Sequence, residues 1–409
     1  MKKKKNKKVY LDHAAATPLD NEVAKVISNY QNNFFANPSA IYNSGVEARK
    51  KVDEAREVIA SLIMAHKDEI IFTGSGTESD ALAIIGTVNN YKIENNKNIP
   101  HIITSEIEHP AVLENCEALK KKGLIEVTYI PPNNKGIIDP KKIKEAIKDN
   151  TVLISIMYAN NEIGTIEPIS QIAKVIRQFK KEKKEGDSYY PLLHTDACQA
   201  VNYLPLENIE KLGVDMMTFN SSKIYGPKGI GVLYKKRKVN LAPIYYGGGQ
   251  ELGLRSGTEN VAYILGLAEA MRKTFKIRES EVSRLIKIRD YTINKLLNLS
   301  TPSFKIKLNG DPIDRLPNNI NISIKGISSE LLVIELSYLG IEVSERSSCH
   351  STDSNSSYVI RAIRRSCGRR INNIEGSLRI SLGRDTTKGD MDKFVSGLET
   401  ILAKYQSWK

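Results

Sequence analysis

Lys223 stands between three small polar residues and a Gly-Pro-Lys-Gly turn, in "FNSSKIYGPKGIGVLY" (219–234). An amine held where a strand ends can form a Schiff base with an aldehyde cofactor; it can equally be an ordinary hairpin lysine. Asp196, 27 residues earlier in "LHTDACQA" (193–200), closes another apolar run. A carboxylate there suits a buried cation such as a protonated pyridine nitrogen, with Gln199 near enough for a phenolic oxygen on the same ring. A helix N-cap is its plainer role. "FTGSGTESDALAII" (72–85) passes through Gly74 and Gly76 into a helix opened by Thr77. That pattern fits an anion site at a helix N-terminus, and also a simple capped helix. His109, in "SEIEHPAVLE" (105–114), precedes a Pro-initiated helix, where an imidazole can stack on a flat ring and move protons. Asn160, in "YANNEIGT" (158–165), supplies an amide after a further strand.

A nucleophile of another kind lies near the C-terminus. From Ser344 to Ser357 there is no aliphatic or aromatic side chain, and seven of the fourteen residues are serine. Such a stretch cannot pack and reads as a mobile surface loop. Cys349, at its middle, is a candidate nucleophile, and Arg346 and His350 beside it favour the thiolate. Together with Cys116, Cys198 and Cys367 it shows no paired metal-ligand spacing, and four cysteines are too few for a disulfide framework. No metal site is expected.

These residues need a scaffold that gathers them. Apolar runs at 69–73, 101–105, 125–130, 152–158, 191–196, 214–219 and 229–234 read as strands. Helical periodicity covers 45–64, 77–91, 111–122 and 170–180. The alternation predicts an α/β fold, a mostly parallel sheet wrapped by helices. In such sheets ligands sit beyond the carboxyl ends of the strands, which would bring Gly76, His109, Asn160, Asp196 and Lys223 to one edge. After "RSGTENVA" (255–262) a long helix, strands at 320–324 and 379–382, a helix near 330–339 and a closing helix suggest a smaller α+β domain. The expected division is a basic disordered tail at 1–8 and a large domain at 16–260. Residues 9–15 and 261–409 then form a small domain carrying the 344–357 loop.

The bulk numbers agree with a soluble globular protein. The chain has 409 residues, 41% hydrophobic and 26% charged, enough for two domains. No apolar run approaches the roughly 18 residues of a membrane helix. The N-terminus lacks both a signal core and the Arg and Ser of a transit peptide, so a cytoplasmic protein is expected. Of the net charge of +13, six charges are lysines within the first eight residues. With no aromatic-interleaved basic motif beside them, a nucleic-acid partner is not expected.

Taken in order, "YLDHAAATPLD", "FANPSA", "GTESDALAI", "ITSEIEHPAV", "SIMYANNEIGTIEPI", "HTDACQA", "SSKIYGPKGIG", "GGGQELGLRSGTEN", "SSCHS" and "RISLGR" resemble the NifS/IscS cysteine desulfurases nearly end to end. The spacing from Cys349 to "SYVIRAI" is similar to the subgroup with the longer catalytic loop. The resemblance implies a pyridoxal 5'-phosphate-dependent transferase fold of the aspartate aminotransferase type, a homodimer, L-cysteine as substrate, and a sulfur-acceptor protein such as an iron–sulfur scaffold. It makes Lys223 the Schiff-base lysine, Asp196 the partner of the pyridinium, and Gln199 and Asn160 the neighbours of the phenolic oxygen. His109 would stack on the ring and transfer protons. Gly76, Thr77 and Ser222 would surround the phosphate, with Thr258 reaching in from a second subunit, and Asn220 would be a further cofactor contact. Arg379 and Asn160 would hold the substrate carboxylate, and Cys349 would take the sulfur as a persulfide. The chain departs from the family at Ser222, where a histidine is usual, and at Tyr42, Ala81, Leu252 and the residues flanking Cys349. A selenocysteine lyase, an aminotransferase, or a weakly active paralogue that docks in a sulfur-transfer complex are the alternatives.

Overall fold

The structure, a computed structural model, describes residues 8–95, 98–182, 189–299, 304–345, 357–367 and 375–406. Its centre is a seven-stranded sheet, ordered Ile70–Thr73, Gly231–Lys235, Met216–Asn220, Leu192–Asp196, Thr151–Ser155, His101–Ser105, Glu126–Ile130. The last five strands run parallel, and Gly231–Lys235 lies antiparallel to both of its neighbours. The inner strands are buried along their whole length, polar residues included, because helices cover both faces. Glu126–Ile130, at the edge, is partly exposed. The run at 152–158 stops pairing as a strand at Ser155, although the N–H groups of Ile156 and Tyr158 still donate to the carbonyls of His194 and Asp196 (3.1 and 2.8 Å).

Helix Gly76–Glu94 starts at Ser75, whose hydroxyl accepts from Glu78 N–H (3.1 Å), while the Glu78 carboxylate reaches back to Gly74 N–H (2.7 Å). The turn before it passes so close to Gly231 that a Cβ there would lie 2.6 Å from the Ser75 backbone. Helix Val261–Asn298, about 57 Å long at 1.5 Å per residue, lies against Asn21–Asn33 and Asn43–Leu62. The first of these two helices and the short Pro140–Ala146 were absent from the sequence reading.

The C-terminal portion holds a three-stranded antiparallel sheet, Glu375–Ser381, Asn319–Lys325 and Ile306–Leu308, with helices Ser329–Tyr338 and Lys388–Gln406. The N-terminal strand Val9–Tyr10 joins Ile341–Glu342 in parallel, and Asp12 bridges to Ser381. Residues 12–17 therefore run between the two sheets.

Candidate active site

The strand register aligns the site. Thr73 and Asn220 both pair with Gly231, Asp196 pairs with Thr218, and Ser155 pairs with His194. The chain leaves these strands on one edge of the sheet, into a cleft of about 290 Å³. Gly76, Thr77, His109, Asp196, Gln199, Asn220, Lys223 and Arg379 all line it.

Residues 14–17 close one side. Ala14 O accepts from Gln199 Nε2 (2.9 Å), Ala15 O accepts from Lys223 Nζ, and Thr17 N–H donates to Ser222 O (2.9 Å). Lys223 follows strand Met216–Asn220 in a turn completed by Tyr225, whose φ of 65° is left-handed. Thr17 Oγ1 accepts from Tyr225 N–H (2.8 Å) and holds that unfavourable backbone in place. Burial pushes the Lys223 ammonium below its ordinary pKa, and the nearby Arg379 cation adds to this.

Asp196 Oδ1 accepts from Cys198 N–H (2.8 Å), which turns the chain away at the strand end. His109 caps helix Pro110–Lys121 by accepting from Ala111 N–H at Nδ1 (3.1 Å). Burial lowers its pKa, and because Nδ1 accepts from Ala111, the neutral ring carries its proton on Nε2. Arg379 is held by Asp12 Oδ1 (2.8 Å) and by Asn161 O (3.1 Å), and its Nε has no partner among the described residues. Gly76 and Thr77 lie in the first helical turn, where N–H groups lack an intrahelical acceptor and attract anions. A Cβ on Gly76 would lie 2.8 Å from Cys198 Sγ and 2.9 Å from Asn220 Nδ2. The Asn220 amide therefore faces the same turn, steered by Ser222 Oγ, which donates to Asn220 Oδ1 (3.1 Å).

Two expected residues, Asn160 and Ser222, do not line the cleft, while Thr258 was expected to serve a second subunit's cleft. Asn160 is fully buried with its amide committed to backbone: Nδ2 donates to Ile107 O (2.9 Å), and Oδ1 accepts from Glu162 and Ile163 N–H (2.9 and 3.0 Å). Its neighbour Asn161 lines the cleft instead. Ser222 stands behind Asn220, and Thr258 is exposed on a loop outside its own chain's cleft. Cys349 lies outside the described residues, as do Arg346 and His350.

The sequence reading overlooked Asn161, Cys198 and the buried Asp80 as parts of this wall. Asp80 was visible only as an acid in a helix's first turn. Burial, and then the charge of Asp196, raise its pKa well above the carboxylate range. His194, behind Asp196, is bonded to Ser155 Oγ (2.9 Å) and Thr218 Oγ1 (3.0 Å) and is structural.

Among the described residues, Asn161 Oδ1 and Arg379 Nε are buried without a hydrogen-bond partner, and Asp80 Oδ1 has only the His194 ring, 3.7 Å away. The cleft thus suits a polar occupant with an anionic end at the Gly76–Thr77 turn. Pyridoxal phosphate fits that description.

The class V aminotransferase family model matches residues 9–394. The chain belongs to that family. Within it, the chain is 41% identical over 410 residues to the cysteine desulfurase IscS of Dictyoglomus turgidum, covering 98% of each protein. It is 40% identical to the IscS of Methanosarcina thermophila, covering 98% of this chain and 94% of that protein. Among solved structures, a NifS-like protein superimposes with a TM-score of 0.86 at 32% identity, covering 97% of this chain and all of the other. The structure of SspA in complex with cysteine gives a TM-score of 0.75 at 32% identity, covering 92% and 99%. The mostly parallel central sheet is the class V architecture, and the chain sits among the family's cysteine desulfurases.

Proposed function

We propose that the protein is a pyridoxal-phosphate-dependent cysteine desulfurase, converting L-cysteine to L-alanine and leaving the sulfur as a persulfide on Cys349. The observation that carries this reading is the convergence of Lys223, Asp196, Gln199, His109 and Arg379 on one cleft that ends at a helix N-terminus. Gly76, Thr77 and Asn220 would hold the phosphate, Asp196 the ring nitrogen and Gln199 the phenolic oxygen, with His109 against the ring and Lys223 at the aldehyde. Bound there, the cofactor supplies an electron sink for negative charge developing at the substrate Cα.

The chain's own residues do the rest. Arg379 offers guanidinium N–H groups to the substrate carboxylate and so orients the amino acid. Lys223 Nζ, its pKa lowered by burial, takes and returns protons more readily than a solvated lysine. His109 Nε2 carries a transferable proton inside a site where the imidazole is held neutral. The Cys349 thiolate attacks the substrate sulfur: an S–S bond forms, the C–S bond breaks, and the released carbon takes a proton. Cysteine and a thiol become alanine and a persulfide, with no external oxidant. The persulfide then passes to an acceptor protein, as in iron–sulfur cluster assembly or thio-modification.

A homodimer in the cytoplasm completes the reading. Phe35, Ile41, Tyr246 and Leu252 are 94%, 93%, 84% and 67% exposed, apolar side chains that a partner subunit would cover. Segments 38–39 and 251–252, close to those side chains in the sequence, line a common groove. A second copy seated there would cover those side chains and receive Thr258. No helix among the described residues is long and apolar enough to cross a membrane. The large domain would span 16–260, and the small one 9–15 and 261–409.

The test is alanine formation from L-cysteine by purified, cofactor-loaded protein. Wild type should form alanine, whereas Lys223→Ala should not and should also lose bound cofactor. Alanine formation by Lys223→Ala at the wild-type rate would remove the lysine from the chemistry.

A further inference from the structure

Residues 12–17 run from Arg379 to the lysine. At one end Asp12 holds the Arg379 guanidinium (2.8 Å), and Ala14 N–H donates to Ser381 Oγ (2.9 Å) on the same strand. In the middle, Ala14 and Ala15 line the cleft, and their carbonyls accept from Gln199 Nε2 (2.9 Å) and from Lys223 Nζ. At the other end stands Thr17, which is buried. Its N–H and its hydroxyl both donate to Ser222 O (2.9 and 3.0 Å), and the hydroxyl oxygen also accepts from Tyr225 N–H (2.8 Å).

Ser222 and Tyr225 flank Lys223. One hydroxyl therefore spans the turn from which the lysine projects, donating before it and accepting after it. The turn needs such a clasp. Tyr225 has a φ of 65°, where a residue with a Cβ is disfavoured, and its buried N–H finds its acceptor, among the described residues, in Thr17.

The amine at the end of this lysine has to leave and return. When Nζ condenses with an aldehyde, an N=C bond forms and two hydrogens depart with the aldehyde oxygen as water. When an amino acid takes the aldehyde over, its amine gives two hydrogens back to Nζ. An amine so released can donate to the Ala15 carbonyl, which keeps it on the 12–17 segment instead of free to swing.

We propose that Thr17 is a positioning residue for Lys223. By clasping the turn on both sides of the lysine, and by fixing the segment that carries the Ala15 carbonyl, it raises the effective concentration of the released amine at the cleft. The proposal rests on Lys223 being the Schiff-base lysine and deepens that reading.

The experiment follows the lysine's return. Cofactor-loaded, full-length protein is mixed with L-alanine until the amino acid has displaced Lys223, and is then diluted. Cofactor absorbance records the return of the lysine link, and borohydride fixes it for mapping. Thr17→Val keeps the shape and removes the oxygen, so the return should be roughly two- to tenfold slower than in wild type. Thr17→Ser keeps the oxygen and should return at close to the wild-type rate. Bound cofactor before the addition should be equal in all three proteins. If Thr17→Val does not fold, Thr17→Ala removes the same oxygen without pressing a methyl group on the two backbone groups, and the same slowing is expected. A wild-type rate in the variant lacking the oxygen overturns the proposal, as does equal slowing in Thr17→Ser or slowing accompanied by loss of cofactor. Borohydride fixing the wild-type cofactor to a lysine other than Lys223 overturns the functional reading instead.

Discussion

Replacing Arg379 by alanine probes the substrate end of the cleft. The guanidinium is nearly buried, 3% exposed, with Nη2 on Asp12 Oδ1 (2.8 Å) and Nη1 on Asn161 O (3.1 Å), while Nε has no partner among the described residues. The remaining N–H groups are the donors available to a substrate carboxylate. Charge-assisted hydrogen bonds are worth roughly 1.5–3 kcal/mol, so their loss should lower kcat/KM for L-cysteine roughly ten- to a hundredfold. Alanine also leaves the Asp12 carboxylate unpaired, and its charge would repel the substrate's. Asp12→Asn separates the two effects: it breaks the ion pair, keeps the guanidinium, and should change kcat/KM by less than about threefold, an estimate from a partly exposed pair. Arg379→Lys keeps the charge but not the planar fork, and should fall between wild type and alanine. Steady-state kinetics with cysteine, and L-alanine affinity read from cofactor absorption, measure all three variants. An Arg379→Ala enzyme with unchanged kcat/KM would refute the assignment.

Three further expectations concern other links. Asn220→Ala should lose cofactor on dialysis roughly ten- to a hundredfold faster than wild type, the worth of one charge-assisted hydrogen bond to a phosphate, and Ser222→Ala should lose it less markedly; equal retention by all three proteins would mean that neither amide nor hydroxyl serves the phosphate. The buried His13, His101 and His194 are each pushed down to about 4 by burial. Below their ordinary pKa near 6.5 the unfolded chain binds more protons than the folded one, so their stabilisation is full above about pH 6.5 and is lost as pH falls towards 4. Denaturant melts should show up to roughly 2 kcal/mol lost per histidine between pH 7 and pH 5; equal stability at both values would contradict this. Ile41→Asp combined with Tyr246→Asp should yield monomers in sedimentation experiments, and an unchanged dimer would place the interface elsewhere.

The sheet was legible because its strands are buried on both faces: Ile70–Thr73, His101–Ser105 and Leu192–Asp196 stand out as short apolar runs between helical periods. Helix Asn21–Asn33 was not, since its apolar side is only Val23, Ile27 and Tyr30 within a polar, Asn-rich stretch. Most cleft residues follow strand ends, and position along the chain marked them. Asn160 and Asn161 show the limit of that rule. Adjacent identical amides cannot be told apart by type, and the Ile107 carbonyl and the Ile163 N–H that capture Asn160 come from tertiary contact and a tight turn. Asp80 was obscured for a related reason: an acid near the start of a helix is ordinarily solvated, and only the packing of that helix against the strand that ends at Asp196 buries it. The steering of Asn220 by Ser222 likewise needs the turn geometry, which two small polar residues do not announce.

The central claim is that sulfur leaves cysteine for one particular thiol of this chain. The direct measurement is mass mapping of each cysteine after the cofactor-loaded protein meets one equivalent of L-cysteine without reductant. The account predicts one added sulfur atom on Cys349, matched by an equal amount of alanine, and neither product in Cys349→Ser. Sulfur on Cys116, Cys198 or Cys367 instead, or alanine formed at the wild-type rate by Cys349→Ser, would contradict it.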